Sequence, residues 1–440
     1  MVGRARRLPA DFLVGCATAA HQVEGHIDND WARWAAADPA RIADRSNATV
    51  ACDHYARYRE DIAQLASLHQ NAHRFSVEWA RIEPQPGWFD AAALRHYADV
   101  ARTCRAHGIE PVVTLHHFTM PRWFADGGGV RRADAPRLFA RYAAACAEAL
   151  GEHVTWWVTI NEPSVLAVVG HLQGRWPPGE RSLAACVAVL RGLLRMHAAA
   201  TQALRSVAAV HARTALVSVA HHERRFRPSE PARWRDRVAA ALPDYIFNRW
   251  FLRCCASGRM LPPLGAGETV PGLRDSLDYI GLNYYSEERV RFDPHATQSL
   301  FTTPVPDPSL PVSSFGWSID PGGLRRALLD LWQQFRLPLL VTENGVADVN
   351  DELRPGYLVE HLRAILDAID DGVDVRAYLH WTAWDNFEWA EGFTQRFGLF
   401  AVDPHTQERI AKPSAAVYAE ICRTRTLPGP DAVGVPSRRP

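Results

Sequence analysis

Lysine is all but missing. The chain has 440 residues and one lysine, Lys412; every other basic side chain is arginine. Alongside abundant alanine, that reads as codon bias in a GC-rich genome, not as chemistry. Net charge is missing too, with Lys+Arg and Asp+Glu both 49. No global basic field is available to hold nucleic acid or an anionic membrane. No segment approaches the ~20 apolar residues of a membrane span. The start, Met1 to Phe12, has three arginines and no apolar run behind them, so no signal peptide is expected. The eight cysteines are scattered and show no C-x-x-C spacing. Cys254 and Cys255 read as half-buried helix surface; Cys104, Cys146 and Cys186, in Ala-rich helical patterns, read as buried free thiols, and a reducing cytoplasm fits best. No Gly-x-Gly-x-x-Gly follows a strand pattern, and Gly127-Gly128-Gly129 lacks phosphate-loop context.

What is present is an ordinary globular balance, 47% hydrophobic and 22% charged, which excludes a largely disordered chain. Fifteen tryptophans hint at aromatic pocket walls. Eight short apolar, β-rich runs recur: 12–18, 72–79, 110–117, 154–163, 214–221, 278–285, 337–345 and 375–385. Several lack alternation, as strands buried on both faces do. Each is followed by a helical period, with Ala91–His107, Leu183–Val207, Ala232–Ala256, Pro321–Phe335, Tyr357–Ile369 and Pro413–Cys422 among them. Eight unbroken strand–helix alternations imply one α/β domain, a closed (β/α)8 TIM barrel over 1–422 with long βα loops. A doubly wound open sheet is the weaker alternative. The Pro- and Ser-rich stretch 286–318 is a candidate lid, and 423–440 reads as a loose tail.

In a barrel, polar residues at the C-terminal strand ends face the site. Reading the ends gives Gln22, Glu24, Arg74, Glu78, Trp79, His116, His117, Asn161, Glu162, His221, His222, Asn283, Tyr284, Tyr285, Glu343, Asn344, Trp381, Trp384, Asp385, Asn386, Glu388 and Trp389. Glu162 and Glu343 each end an apolar run, where an unpaired carboxylate is costly. Singly, each could pair with an arginine or cap the next helix. Strands 4 and 7 face each other across an eight-stranded barrel, and a ring of Trp, Asn, Gln and His around two glutamates describes a sugar site. His116-His117 and His221-His222-Glu223 make poor chelates, since neighbouring strand residues point to opposite faces. No metal or cofactor is expected; His221 or His222 reads as a strand-end cap, and His116 as packed outside the barrel.

These residues resemble family 1 glycoside hydrolases, the retaining β-glucosidase family. The resemblance runs from Phe12 to about Pro413. It rests on the run from Phe12 to Gly25, Arg74-Phe75-Ser76-Val77-Glu78-Trp79, Leu115-His116-His117-Phe118 and Asn161-Glu162-Pro163. It continues through Asn283-Tyr284-Tyr285, Thr342-Glu343-Asn344-Gly345 and the run from Asp385 to Gly392. Asn-Glu-Pro alone is weak; the ordered set is specific.

The resemblance implies Glu343 as nucleophile and Glu162 as acid, then base. It implies Arg74 and Tyr285 flanking Glu343, and Asn161 on the sugar 2-hydroxyl. Gln22, His117, Glu388 and Trp389 would hold the 3-, 4- and 6-hydroxyls, Trp381 the stacking floor, and Trp317 the leaving-group side. Asn283 and Phe397 join the sugar-contacting positions. Glu162 is expected to have a raised pKa. A carboxylate at Glu388, with no lysine over 392–397, implies unphosphorylated glucosides, with galactosides and fucosides in range; Arg396 is the one nearby cation. Trp384 is a departure that either fills core space left by Ala383 or reshapes the site floor. The implied activity is a retaining exo-β-glycosidase on a small-molecule β-glycoside. Transfer to an acceptor alcohol and sugar binding without hydrolysis are the alternatives.

Overall fold

The computed structural model of the chain describes residues 6–429. Eight parallel strands close into a barrel: β1 Leu13–Ala17, β2 Ala72–Ser76, β3 Glu110–His116, β4 Trp156–Asn161, β5 Leu216–His222, β6 Ile280–Asn283, β7 Leu339–Asn344 and β8 Val375–Trp381. Each pairs with its sequence neighbours, and β8 returns to β1. These are the eight apolar runs of the sequence. Outward side chains such as Val14, Cys16, Leu115, Trp157 and Ile160 pack under the helices. Small inward residues, Ala17, Ala72 and Ala220 among them, leave room inside. Gly15 lies where a Cβ would overlap the carbonyl oxygen of Ala72, so β1 and β2 approach more closely than a side chain permits.

The outer ring is α1 His54–Ser67, α2 Ala91–Ala106, α3 Ala135–Leu150, α4 Leu183–Val210, α5 Trp250–Ser257, α6 Pro321–Phe335, α7 Arg354–Asp370 and α8 Pro413–Thr424. Local chemistry starts them: Asp90 accepts from the Ala92 and Ala93 amides, Ser182 from the Ala185 amide, and α3 and α6 carry proline in the first turn.

The structure adds to some expectations and corrects others. The run 232–256 is not one helix. It divides into Trp234–Pro243, a wider π-turn over Asp244–Arg249, and α5, with Pro243 at the break. The stretch 286–318 holds strands Glu287–Phe292 and Thr302–Pro304, which form a three-stranded sheet with Arg225–Pro228. The tail begins later than residue 423. Helix α8 runs to Thr424, and Thr426–Leu427 pairs with Arg6–Arg7, burying Leu427; 430–440 lie outside the described residues. Cys254 and Cys255 are buried, as are the other six free cysteines. Helix α4 also corrects the membrane reading by composition: it is long and apolar enough to cross a bilayer, yet it packs along α3 as a core helix, with 61% of its most apolar window buried.

Candidate active site

The barrel brings ten of the thirteen site positions that the resemblance implies to one cavity of about 260 Å³ at its C-terminal face. Glu162, Glu343, Asn161, His117, Tyr285, Trp317, Trp381, Glu388, Trp389 and Phe397 line it. Strand alternation sorts the neighbours. His117 faces the cavity while His116 packs against Phe139 outside the barrel. Tyr285 faces in, whereas the Tyr284 hydroxyl donates to the Asp320 carbonyl. Glu343 faces in, whereas the Asn344 amide donates to the Tyr284 carbonyl and contacts the Tyr357 hydroxyl. Glu24 and Glu78 sit behind the site with Arg81, Tyr97 and Thr119. Trp79 stacks on Tyr142, and Asp385 pairs with Lys412 at 2.7 Å. Trp384 is fully buried against His54, away from the cavity, and so fills core space.

Both glutamates are anchored. Arg74, fully buried, makes an ion pair with Glu343 Oε1, and the Tyr285 hydroxyl donates to Glu343 Oε2 at 2.6 Å. Arg74 also donates to Asn161 Oδ1 at 2.6 Å and to Thr114 Oγ1 at 3.0 Å. Asn283 Nδ2 donates to Glu162 Oε1 at 2.8 Å and to Asn161 Oδ1 at 3.1 Å. One hydrogen-bonded chain therefore runs from Glu162 through Asn283, Asn161 and Arg74 to Glu343. Glu162 has a left-handed backbone, φ 43°, uncommon outside glycine and concentrated at functional sites. Gly345 lets the ends of β7 and β8 meet, since a Cβ there would overlap the Trp381 carbonyl oxygen.

The aromatic walls are ordered. His117 lies nearly parallel to Trp381 and Trp389, at interplanar angles of 15° and 10°. Its Nε2 meets the Asn161 amide at 3.2 Å. Gln22 and Asn283 are buried behind the cavity surface. Gln22 Nε2 donates to Glu388 Oε2 at 3.1 Å, and its Oε1 has no partner among the described residues. Trp317 stacks on Phe315 at 4.2 Å beside Tyr285.

Burial is the largest influence on the carboxyls of Glu162 and Glu343. At Glu162 it is outweighed by His222 and Asn283, which hold the pKa below its ordinary value. At Glu343 burial, with the charge of Glu162, outweighs Arg74 and Tyr285 and pushes the pKa up to about 7. The expected raised value at Glu162 is thus reversed, because donors on Glu162 Oε1 favour its carboxylate. The two carboxyls titrate as a pair that holds one proton near neutrality. Glu388 is pushed up to about 8 by burial and by the charge of Glu343.

Some lining residues are absent from the sequence reading. Val165, Val169, Trp176, Phe247 and Phe315 give an apolar wall. Val165 and Val169 follow Glu162 at helical spacing, which was a usable signal; Phe247 arrives from the π-turn, which was not. No group of three or more His, Cys, Asp or Glu side chains that could hold a metal ion occurs among the described residues.

The chain matches the model of glycosyl hydrolase family 1 over residues 4–427. It is 32% identical to beta-glucosidase A of Thermotoga maritima over 450 residues, covering 96% of this chain and 99% of that protein. It is 31% identical to a beta-galactosidase of Sulfolobus acidocaldarius, covering 85% and 84%. The solved family 1 b-glucosidase of Thermotoga maritima in complex with isofagomine lactam superposes with a TM-score of 0.90 at 31% identity, covering 96% of this chain and all of that one. With the closed barrel and paired glutamates described above, the chain belongs to glycosyl hydrolase family 1 and is a glycoside hydrolase.

Proposed function

We propose that this enzyme hydrolyses unphosphorylated β-D-glucosides, with β-galactosides and β-fucosides in range, by double displacement with retention. In the first step Glu343 attacks the anomeric carbon, Glu162 gives its proton to the departing oxygen, and the glycosidic bond breaks. In the second, Glu162 takes a proton from water, whose oxygen displaces Glu343 from the anomeric carbon. The reactive form carries the pair's one proton on Glu162. A leaving-group oxygen seated there, and positive charge developing beside Glu343, both favour that placement.

The observation that carries this reading is the hydrogen-bonded chain joining Glu162 to Glu343 through Asn283, Asn161 and Arg74. A protein that only binds sugar has no use for two carboxyls held this way. The names of the relatives support a glucoside and galactoside range. Exclusion of a 6-phosphate is supported by the cavity wall: Lys412 is tied to Asp385, Arg396 is exposed and outside the lining, and the lining arginines Arg175 and Arg224 are paired with Glu391 and Glu288. The free, buried thiols suit a cytoplasmic enzyme.

The test is turnover of methyl β-glucoside, its galacto epimer and the glucoside 6-phosphate by wild type and Glu343→Gln. Wild type should cleave the first two and not the third, and the variant should lose activity on both. Residual hydrolysis above about 1% in the variant would remove Glu343 from its role.

A further inference from the structure

His222 ends β5 and belongs to a histidine pair with no role in the reaction as derived so far. The register of β5 separates the two. Ala220 and His222 share the inward face, and His221 is fully buried on the other, 3.7 Å from Glu223. The Glu162 amide donates to the Ala220 carbonyl at 2.8 Å, which fixes the end of β4 to β5. Two residues on, His222 Nδ1 meets Glu162 Oε1 at 3.0 Å. The imidazole is held edge-on to Phe247 at 5.6 Å and near Tyr285 at 5.8 Å, with 14% of the side chain exposed. Asn283 donates to the same oxygen. Both contacts to the Glu162 side chain therefore fall on Oε1, and Oε2 has no partner among the described residues.

We propose that His222 is the positioning residue of the acid/base. It pins Glu162 Oε1 so that Oε2 is the oxygen that exchanges a proton with the leaving group and then with water. This rests on Glu162 having the acid/base role. The ionisable groups facing Glu162 are Glu343, Arg74, Tyr285, His117 and Glu388; beside His222, Arg224 and Glu288 pair with each other at 2.6 Å. His222 is thus the one imidazole in direct contact with the Glu162 carboxyl among the described residues.

The variants are His222→Leu, which removes the donor, and His222→Asn, which can restore one near the Nδ1 position. Removing a donor that favours the carboxylate raises the pKa of Glu162, so the basic limb of kcat/KM should move up by about one pH unit in His222→Leu. In the same variant, kcat/KM for methyl β-glucoside should fall at least about tenfold, while 2,4-dinitrophenyl β-glucoside changes less than about twofold. His222→Asn should recover most of both effects. Titration of the 13C-labelled Glu162 carboxyl by NMR, assigned with Glu162→Gln, should show the same upward move without needing turnover. An unchanged Glu162 midpoint in His222→Leu overturns the proposal, as do equal losses on the two substrates. Wild type inactive on every glycoside would overturn the acid/base reading instead, and the NMR midpoint would still decide whether His222 sets the state of Glu162.

Discussion

Arg74 and Tyr285 occupy one oxygen each of Glu343, so the proposed nucleophile has little freedom to turn. A hydrogen bond to a charged group contributes about 1.5–3 kcal/mol. Tyr285→Phe should therefore lower kcat/KM by roughly ten- to a hundredfold with the fold intact, measured on an aryl β-glucoside alongside the melting temperature. Glu162→Gln separates leaving groups: methyl β-glucoside should lose far more activity than 2,4-dinitrophenyl β-glucoside, which needs no protonation. Equal losses on the two in kcat/KM would argue against its acid role. The pair's single proton sets the pH profile. On the proposed roles, raising pH through about 7 removes that proton and stops the acid; lowering it below 4.5 adds a second and neutralises the nucleophile. A bell-shaped kcat/KM with its basic limb near pH 7 is expected, and a plateau to pH 9 would contradict the coupling. Glu162, Glu343, Arg74 and Tyr285 were legible because each ends or enters an apolar strand run. The contact of His222 with Glu162 was not, because only the register of β5 decides which of two adjacent histidines points inward.

Among the elements, the eight barrel strands were legible as short apolar runs with turn signals between them. The sheet formed by Arg225–Pro228, Glu287–Phe292 and Thr302–Pro304 was not. Two of its strands are rich in charge, the third is the short Thr302–Pro304, and Arg225 and Arg227 both pair with Glu287 instead of presenting an apolar face. The break after Pro243 was hidden by the apolar period that continues through it into α5. Gly345 was singled out only as part of a motif; its physical reason is the carbonyl of Trp381 where a side chain would stand. Gly345→Ala should force β7 and β8 apart and destabilise the fold by about 2 kcal/mol or more, read as a fall in the chemical-denaturation midpoint. A neutral effect would mean that the strand ends are free to separate.

For the whole molecule, buried imidazoles set the acid limit of stability. His21, His73, His197, His361 and His380 are each held neutral by burial, with pKa lowered to about 3. The unfolded chain binds protons on them from about pH 6.5 downward, so stability present above that pH is lost as pH falls toward 3. Buried Asp30 and Glu78, both raised to about 7, act the other way: their contribution is present below about pH 4 and is lost as pH rises through 7. Glu343 and Glu388, raised to about 7 and about 8, join that opposing set, while His96 and His116, lowered to about 4, join the imidazoles, so seven imidazoles stand against four carboxyls. The melting temperature should therefore rise between pH 4 and 6.5, and a flat or falling curve there would contradict the burial of charge-free histidines.

The proposed covalent glycosyl-enzyme on Glu343 can be read from the intact mass after incubation with 2-deoxy-2-fluoro-β-glucosyl fluoride and its galacto epimer. The fluorine slows breakdown of the intermediate more than its formation. The expected result is one trapped sugar per chain in wild type and none in Glu343→Gln, with the faster epimer identifying the preferred glycon. Folded wild type that takes no label from either sugar, or label that persists in Glu343→Gln, would contradict it.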